Sequence, residues 1–598
     1  MLLSVFVSTW FANYIILSSV SNVRMIIQNL VLPQVCDAAE GLYARSMVRC
    51  SRFPLELGLG DSVSFATYFN YFSLSKWRKY TTVDDQYVFL KCEGRFEIRV
   101  DHHVLENGSE IVTNVISFES DGGADVKVPS VPDSGMLSIT VTSLSDSSVL
   151  FGGGFRTESA PPNGVRIGVN ICTYWREKEI ADKIERFLSF VRSADKDFSD
   201  SVELFIIDNG NTLDDSLNCD NVHVIPNKNL GGSGGFTRGM MEIVDSGRFS
   251  HILMNDDDAL FEPESLYRTW SFLSFLKGEY NDAHIGGAML MSEKPNIVHE
   301  AGAMYSERGR ILRPVKGGLD VSDPVVCLMF DEEGEMNYLG WWYLVLPVSY
   351  VRDSGYPLPL FIKWDDIEYG IRNTARTPIT LNGVSVWHES FKEKAFAANH
   401  YNYYFARNYL VIGCTTDDLK RRDVTWMLRN ALFEAICYRY ECAEMMFRGV
   451  RDFFRGPEFV FDQCVEGMVK PLPMNVEKIT DLKSGEEFED PDGVVKKNIR
   501  GRMLTMNGLL LPSKRNVETS PGDMESSDFY RVGKVLYNID GVDGFVAERS
   551  FGRTLSCAFK LMRLWLRTSL SFGRIKKRYR ESLKKYSSEE NWRTIFNK

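Results

Sequence analysis

VRIGVNICTYWREKEIADKIERFLSFVRSADKDFSDSVELFIIDNG, residues 165–210, decides the fold. VRIGVNICTY (165–174) is a short apolar run suited to a buried strand. REKEIADKIERFLSFVRSA follows, with Ile180, Ile184, Phe187, Leu188 and Val191 recurring at helical spacing. VELFIID (202–208) is a second apolar strand and VHVIPN (222–227) a third. A glycine-rich turn, NLGGSGGFTRG (229–239), leads into a helix expected to begin near Gly235. HILMNDDDAL (251–260) is a fourth strand, and it ends in acids. Strands alternating with helices predict βαβ units and a parallel sheet, which binds ligands at the carboxyl ends of its strands.

On the N-terminal side the pattern is different. YVFLKCEGRFEIRVDHHVL and MLSITVTSLSDSSVLFGGGF alternate apolar and polar residues between Gly, Asp, Ser and Pro clusters, as the strands of a sandwich do. SAPPNG (159–164) marks the boundary. Beyond about residue 400 the reading is helical, in HYNYYFARNYLVI and TWMLRNALFEAICYRY, with an irregular insertion expected near 470–530. The expected architecture is α/β: a β-sandwich over 25–160, a Rossmann-like domain over 161–400, and a mainly helical domain over 401–598 with a basic amphipathic tail.

Composition bounds the function. The chain has 598 residues, 44% hydrophobic and 25% charged, which excludes wholesale disorder, collagen and a coiled-coil rod. Its net charge of −11 argues against a nucleic-acid partner. Eleven Cys without a CxxC pair read as reduced thiols rather than a disulfide framework or structural zinc site. Residues 1–20 carry no charge and are about long enough to cross a bilayer, so 1–24 is either an anchor or a misassigned start ahead of Met25. From Phe551 onward thirteen basic residues face three acidic ones. Leu561, Leu564, Leu566, Leu570 and Phe572 lie among Arg563, Arg567, Arg574, Lys576, Lys577 and Arg578, a pattern suited to an anionic membrane surface.

Asp256, Asp257 and Asp258 close the fourth strand. Three adjacent carboxylates repel one another unless a cation neutralises them, and oxygen ligands favour Mg2+ or Mn2+. The glycines of 229–239 permit close approach to a ligand, but the segment lacks the Gly-Lys-Ser/Thr ending of a phosphate loop. In WDD (Trp364, Asp365, Asp366), one acid suits a helix start and the other a general base. His388 in WHES is a reasonable nitrogen ligand beside an acidic metal site. Trp341, Trp342 and Trp364 supply aromatic faces for sugars or for the core, and His299 and Glu300 are weaker candidates.

ICTYWRE, FIIDNG, NLGGSGGFTRG, NDDDA, WDD and WHES together resemble the inverting family 2 glycosyltransferases of GT-A fold, in particular the polymerising UDP-galactofuranose transferases of bacterial galactan synthesis. SFATYFNYFSLSKWRKYTT is similar to that family's sandwich domain. The resemblance implies that Arg176, Asn209 and Asn229, with Asp256 and Asp257, hold the uridine diphosphate. It implies Asp256, Asp258 and His388 as ligands of Mn2+ or Mg2+, and Asp366 as catalytic base. Trp341, Trp342, Trp364, Asp365, His299 and Glu300 would line the acceptor groove. Asn209 departs from the resemblance, standing where Gln is expected. The implied partners are UDP-galactofuranose, a lipid-linked glycan acceptor, the inner membrane surface at the cytoplasmic face, and a second copy of the chain. Two alternatives stay open from sequence: another nucleotide-sugar donor, such as a UDP-hexopyranose or activated rhamnose, and a non-catalytic glycan-binding protein.

Overall fold

The computed structural model describes residues 24–597 apart from 35, 307–309, 373–375, 390–398, 463–469, 471, 473–475, 484–485, 491–501, 503, 521–524 and 540. The apolar segment 1–20 lies outside the described residues.

The central sheet has the strand order Val222–Pro226, Val202–Asp208, Ile167–Thr173, His251–Asp256, Leu344–Pro347, His284–Met291, Pro378–His388, Leu260–Phe261, with Lys294–Glu300 paired to His284–Met291. Every residue of Val202–Asp208 is buried, because helices cover both faces of the sheet. The helix Glu177–Ser193 packs with Ile180, Ile184, Phe187 and Val191 inward, an apolar stripe at helical spacing.

The first four strands run parallel, as alternation predicts. The sheet as a whole is mixed, which corrects the expectation of a parallel sheet. Leu344–Pro347 enters antiparallel to both neighbours. This reversal has a functional consequence. Met254 pairs with Leu344, so the residues just before Leu344, Trp341 and Trp342, stand beside the acid-bearing end of His251–Asp256. Pro378–His388 runs parallel to His284–Met291 and brings His388 to the same end.

A second correction concerns the glycine run. The helix begins at Gly231, not near Gly235, and continues to Ser246. Glycine is a poor helix former, but a Cβ on Gly235 would lie 2.1 Å from Cys172 Sγ and one on Gly239 1.9 Å from Asn170 Oδ1. The helix therefore packs on Ile167–Thr173 at a distance that only glycine permits.

Ahead of this sheet, two antiparallel sheets share one apolar cluster through Phe96, Ile98 and Val141 of one and Val88, Leu150 and Phe155 of the other. After it, helices Asn399–Thr415, Arg421–Ile436, Tyr440–Phe453 and Phe551–Tyr586 enclose a further cluster. The stretch expected to be irregular contributes to a four-stranded sheet ordered Glu477–Lys478, Asp543–Glu548, Val532–Asn538, Arg515–Thr519. The last helix, Glu589–Asn597, returns to the central domain, with the Trp592 indole N–H donating to the Pro357 carbonyl at 2.8 Å.

Candidate active site

Thr173, Asp208 and Asp256 end parallel strands, and the cleft above these ends has a volume of about 1040 Å³. All the candidate residues line it: Arg176, Asn209, Asn229, Asp256, Asp257, Asp258, His299, Glu300, Trp341, Trp342, Trp364, Asp365, Asp366 and His388.

One ligand atom each from Asp256, Asp258 and His388 lies within 4.8 Å of the others. The donor chemistry fits a divalent cation such as Mn2+ or Mg2+. His388 Nδ1 hydrogen-bonds the Glu389 carbonyl at 2.6 Å, which makes Nδ1 the donor and leaves Nε2, 3.1 Å from Asp258 Oδ1, for the metal. Burial and then the charge of Asp258 raise the Asp256 carboxyl well above the usual range. A bound cation removes that conflict. Arg176 approaches Asp257 at 3.6 Å and Asp258 at 3.5 Å, and Thr173 donates to Asp257 at 3.0 Å.

Beneath the triplet lies Lys183, a residue the sequence reading did not single out. It is 6% exposed, and its Nζ donates to Asn255 Oδ1 at 2.8 Å and to the Asp256 carbonyl at 2.6 Å. Asn255 in turn donates to the Trp342 carbonyl at 2.6 Å. Burial lowers Lys183 to about 8 against the pull of the three acids. The one available signal was a lysine on the apolar face of its helix, between Ile180 and Ile184.

Asn209 has a structural task. Its Nδ2 donates to the Gly231 carbonyl at 3.1 Å and its Oδ1 accepts from Asn227 at 2.8 Å, tying two strand ends to the glycine helix. Asn229 Oδ1 accepts from the Gly231 N–H at 3.0 Å and shapes the entry to the same helix.

The acid pair opens the helix Asp365–Ile371, with Trp364 as its N-cap residue and no side-chain cap. Its two members face different ways. Asp365 is buried beside the glycine helix, where a Cβ on Gly232 would sit 3.4 Å from its Oδ2. Asp366 accepts on Oδ2 from the Tyr338 hydroxyl and on Oδ1 from the Ile367 N–H at 2.8 Å. Burial raises Asp366 above the usual carboxylate range, while the Tyr338 hydrogen bond opposes the rise. Glu300, 3% exposed nearby, is pushed up to about 8 by burial and then by Asp366. Tyr338 had no sequence signal as a partner of Asp366, 28 residues away.

The tryptophans form wall and core together. Trp341 packs edge-on against Phe236 at 5.0 Å, and Trp342 donates to the Gly287 carbonyl at 3.1 Å. Trp364 is half-buried and meets Phe405 and Tyr409 of the following helix. His299 is half-buried beside Glu300, and burial lowers its pKa.

A family model described as galactofuranosyltransferase 2 N-terminal matches residues 31–155. Two relatives match almost end to end. Galactofuranosyltransferase GlfT2 of Mycolicibacterium smegmatis is 25% identical over 595 residues, covering 91% of this chain and 90% of that protein. Galactofuranosyltransferase GlfT2 of Mycobacterium tuberculosis is 24% identical over 600 residues, covering 91% and 92%. Among solved structures, mannosyltransferase PcManGT from Pyrobaculum calidifontis, in complex with GDP-Man and Mn2+, overlaps with a TM-score of 0.27 at 12% identity. It covers 42% of this chain and 64% of that one, too slight an overlap to carry an argument.

Proposed function

We propose that this enzyme, a glycosyltransferase, moves galactofuranose from UDP-galactofuranose to a hydroxyl of a lipid-linked glycan, with inversion at the anomeric carbon, on a GT-A scaffold. One observation carries the reading: the Asp256–Asp258–His388 cluster and the Asp365–Asp366 pair open into a single cleft. The similarity to the two GlfT2 proteins supports the donor.

A divalent cation held by Asp256, Asp258 and His388 would supply Lewis-acid stabilisation of the diphosphate. Arg176 adds a guanidinium at the rim for the charge that grows on the leaving group. Asp366 accepts the proton of the acceptor hydroxyl as that oxygen attacks the anomeric carbon. Tyr338 orients the Asp366 carboxylate, and Trp341 and Trp342 line the same cleft as a candidate wall for the acceptor.

The donor is tested by UDP or other nucleotide release from a panel of sugar nucleotides, with and without chelator. UDP-galactofuranose consumption that stops on chelation supports the reading. Preference for a UDP-hexopyranose or an activated rhamnose refutes it.

The base assignment makes a pH prediction. Tyr338 lowers the Asp366 pKa, so its removal raises it. Tyr338→Phe shifts the acidic limb of the kcat/KM profile to higher pH, a limb along which activity falls about tenfold per pH unit. An unmoved limb, measured from pH 4.5 to 8, rules out this role for the hydroxyl.

We also propose that the enzyme rests on an anionic membrane. In the helix Phe551–Tyr586, Leu561, Leu564 and Phe572 of the expected apolar set pack into the helical bundle instead, while Phe559, Met562, Leu566 and Leu570 form one exposed ridge, with Leu570 87% exposed, among Arg563, Arg567 and Arg574. Among the described residues no helix is long and apolar enough to cross a membrane. The protein is expected to cosediment with phosphatidylglycerol vesicles at low salt and to be released near 1 M NaCl, where screening is short-ranged. Equal binding to neutral vesicles contradicts this.

A further inference from the structure

The segment that delivers the acid pair has an unusual backbone. Within Phe361–Trp364, three residues with side chains lie in the left-handed region: Phe361 (φ +73°), Lys363 (φ +65°) and Trp364 (φ +71°). Side chains adopt this region only under constraint, and such outliers persist where the surroundings over-determine them.

The constraint comes from two sides. On one, Asn408 of helix Asn399–Thr415, fully buried, directs its amide Nδ2 to the carbonyls of Leu360 (3.2 Å), Ile362 (2.9 Å) and Lys363 (2.8 Å). Arg407 fixes which way that amide points. Its Nε donates to Asn408 Oδ1 at 2.8 Å, so the amide hydrogens face the loop, while its Nη2 holds the Leu360 carbonyl at 2.6 Å. On the other side, the Phe361 N–H donates to Ser233 Oγ at 2.9 Å, and the Phe361 carbonyl accepts from the Ser233 N–H at 3.2 Å. A Cβ on Gly231 would lie 2.1 Å from that carbonyl. The loop is thus pinned between the glycine helix of the catalytic sheet and the first helix of the C-terminal bundle. The residues immediately after it are Asp365 and Asp366.

We propose that Asn408 is a positioning residue for proton abstraction, a role that rests on the assignment of Asp366 as base. By holding the Ile362 and Lys363 carbonyls it keeps the loop left-handed, and so sets where the helix Asp365–Ile371 starts and where the Asp366 carboxylate points. Asn408 touches neither the metal ligands nor the residues assigned to the diphosphate. Its loss therefore acts on the chemical step and spares donor binding. Displacements of about 1 Å at a reacting group cost on the order of 10²-fold in rate.

The test is steady-state kinetics, with UDP affinity measured separately by calorimetry in the presence of Mn2+. Asn408→Asp keeps the shape and the acceptor for Arg407 but replaces the amide hydrogens with an oxygen facing three carbonyls. Asn408→Ala removes the group altogether. Both are expected to lower kcat at least tenfold with UDP affinity within twofold of wild type. If Asn408→Ala fails to fold, the near-isosteric Asn408→Asp gives the same reading. Adding Lys363→Gly, which tolerates a positive φ without a side chain, is expected to recover severalfold of the kcat lost in Asn408→Ala. Wild-type kcat in Asn408→Asp, a parallel collapse of UDP affinity, or no recovery with Lys363→Gly overturns the proposal. Asp366→Ala in the same assay separates this from failure of the base assignment: an active Asp366→Ala refutes the base whatever the Asn408 variants do.

Discussion

Asp366→Asn lowers kcat for transfer by about 10²–10⁴-fold, the range lost when a positioned general base is removed, while UDP binding in Mn2+ stays near wild type. The substitution is nearly isosteric: its one oxygen still accepts from the Ile367 N–H, and its amide nitrogen faces the Tyr338 hydroxyl, which can turn to accept, so the helix start is preserved. What it removes is the capacity to take a proton. Asp365 is not expected to substitute, because its Oδ2 lies against Gly232 of the glycine helix, whereas Tyr338 holds Asp366. Transfer assays paired with calorimetry of UDP check this. Turnover near wild type in Asp366→Asn assigns the proton elsewhere.

The second large effect falls on the metal cluster. Asp258→Ala removes one of the three proposed metal ligands and also the partner that holds His388 Nε2 at 3.1 Å. Loss of orienting groups around a bound metal already costs about 10–100-fold in affinity, and loss of a ligand costs at least as much. The apparent Kd for UDP in Mn2+ is therefore expected to rise by about 100-fold or more. In chelator the two proteins bind UDP alike, because the difference lies in the cation. A titration in which Asp258→Ala matches wild type in Mn2+ contradicts the ligand set.

Much of this is legible in the sequence. Val202–Asp208 and His251–Asp256 read as strands because a sheet covered on both faces leaves runs of apolar residues, and the triplet at the end of one of them falls where such sheets bind ligands. The relation of the triplet to Trp364, Asp365, Asp366 and His388 followed from a resemblance in motif order rather than from any local rule. What stayed hidden is set by contacts remote in sequence. The glycine run reads as a turn, because nothing local reveals that Asn170 and Cys172 press against it. Leu344–Pro347 gives no sign of its direction. Arg515–Thr519 is too polar to stand out as a strand in a segment rich in Gly and Pro. Lys183, Tyr338 and Asn408 owe their roles to partners 72, 28 and 45 residues away.

Nuclear magnetic resonance of the product formed from UDP-galactofuranose, Mn2+ and a short synthetic acceptor asks most directly whether one cleft activates both donor and acceptor. The product is expected to carry an added galactofuranosyl residue whose anomeric configuration is opposite to that of the donor. A retained configuration, or an unextended acceptor while a different sugar nucleotide is consumed, contradicts it.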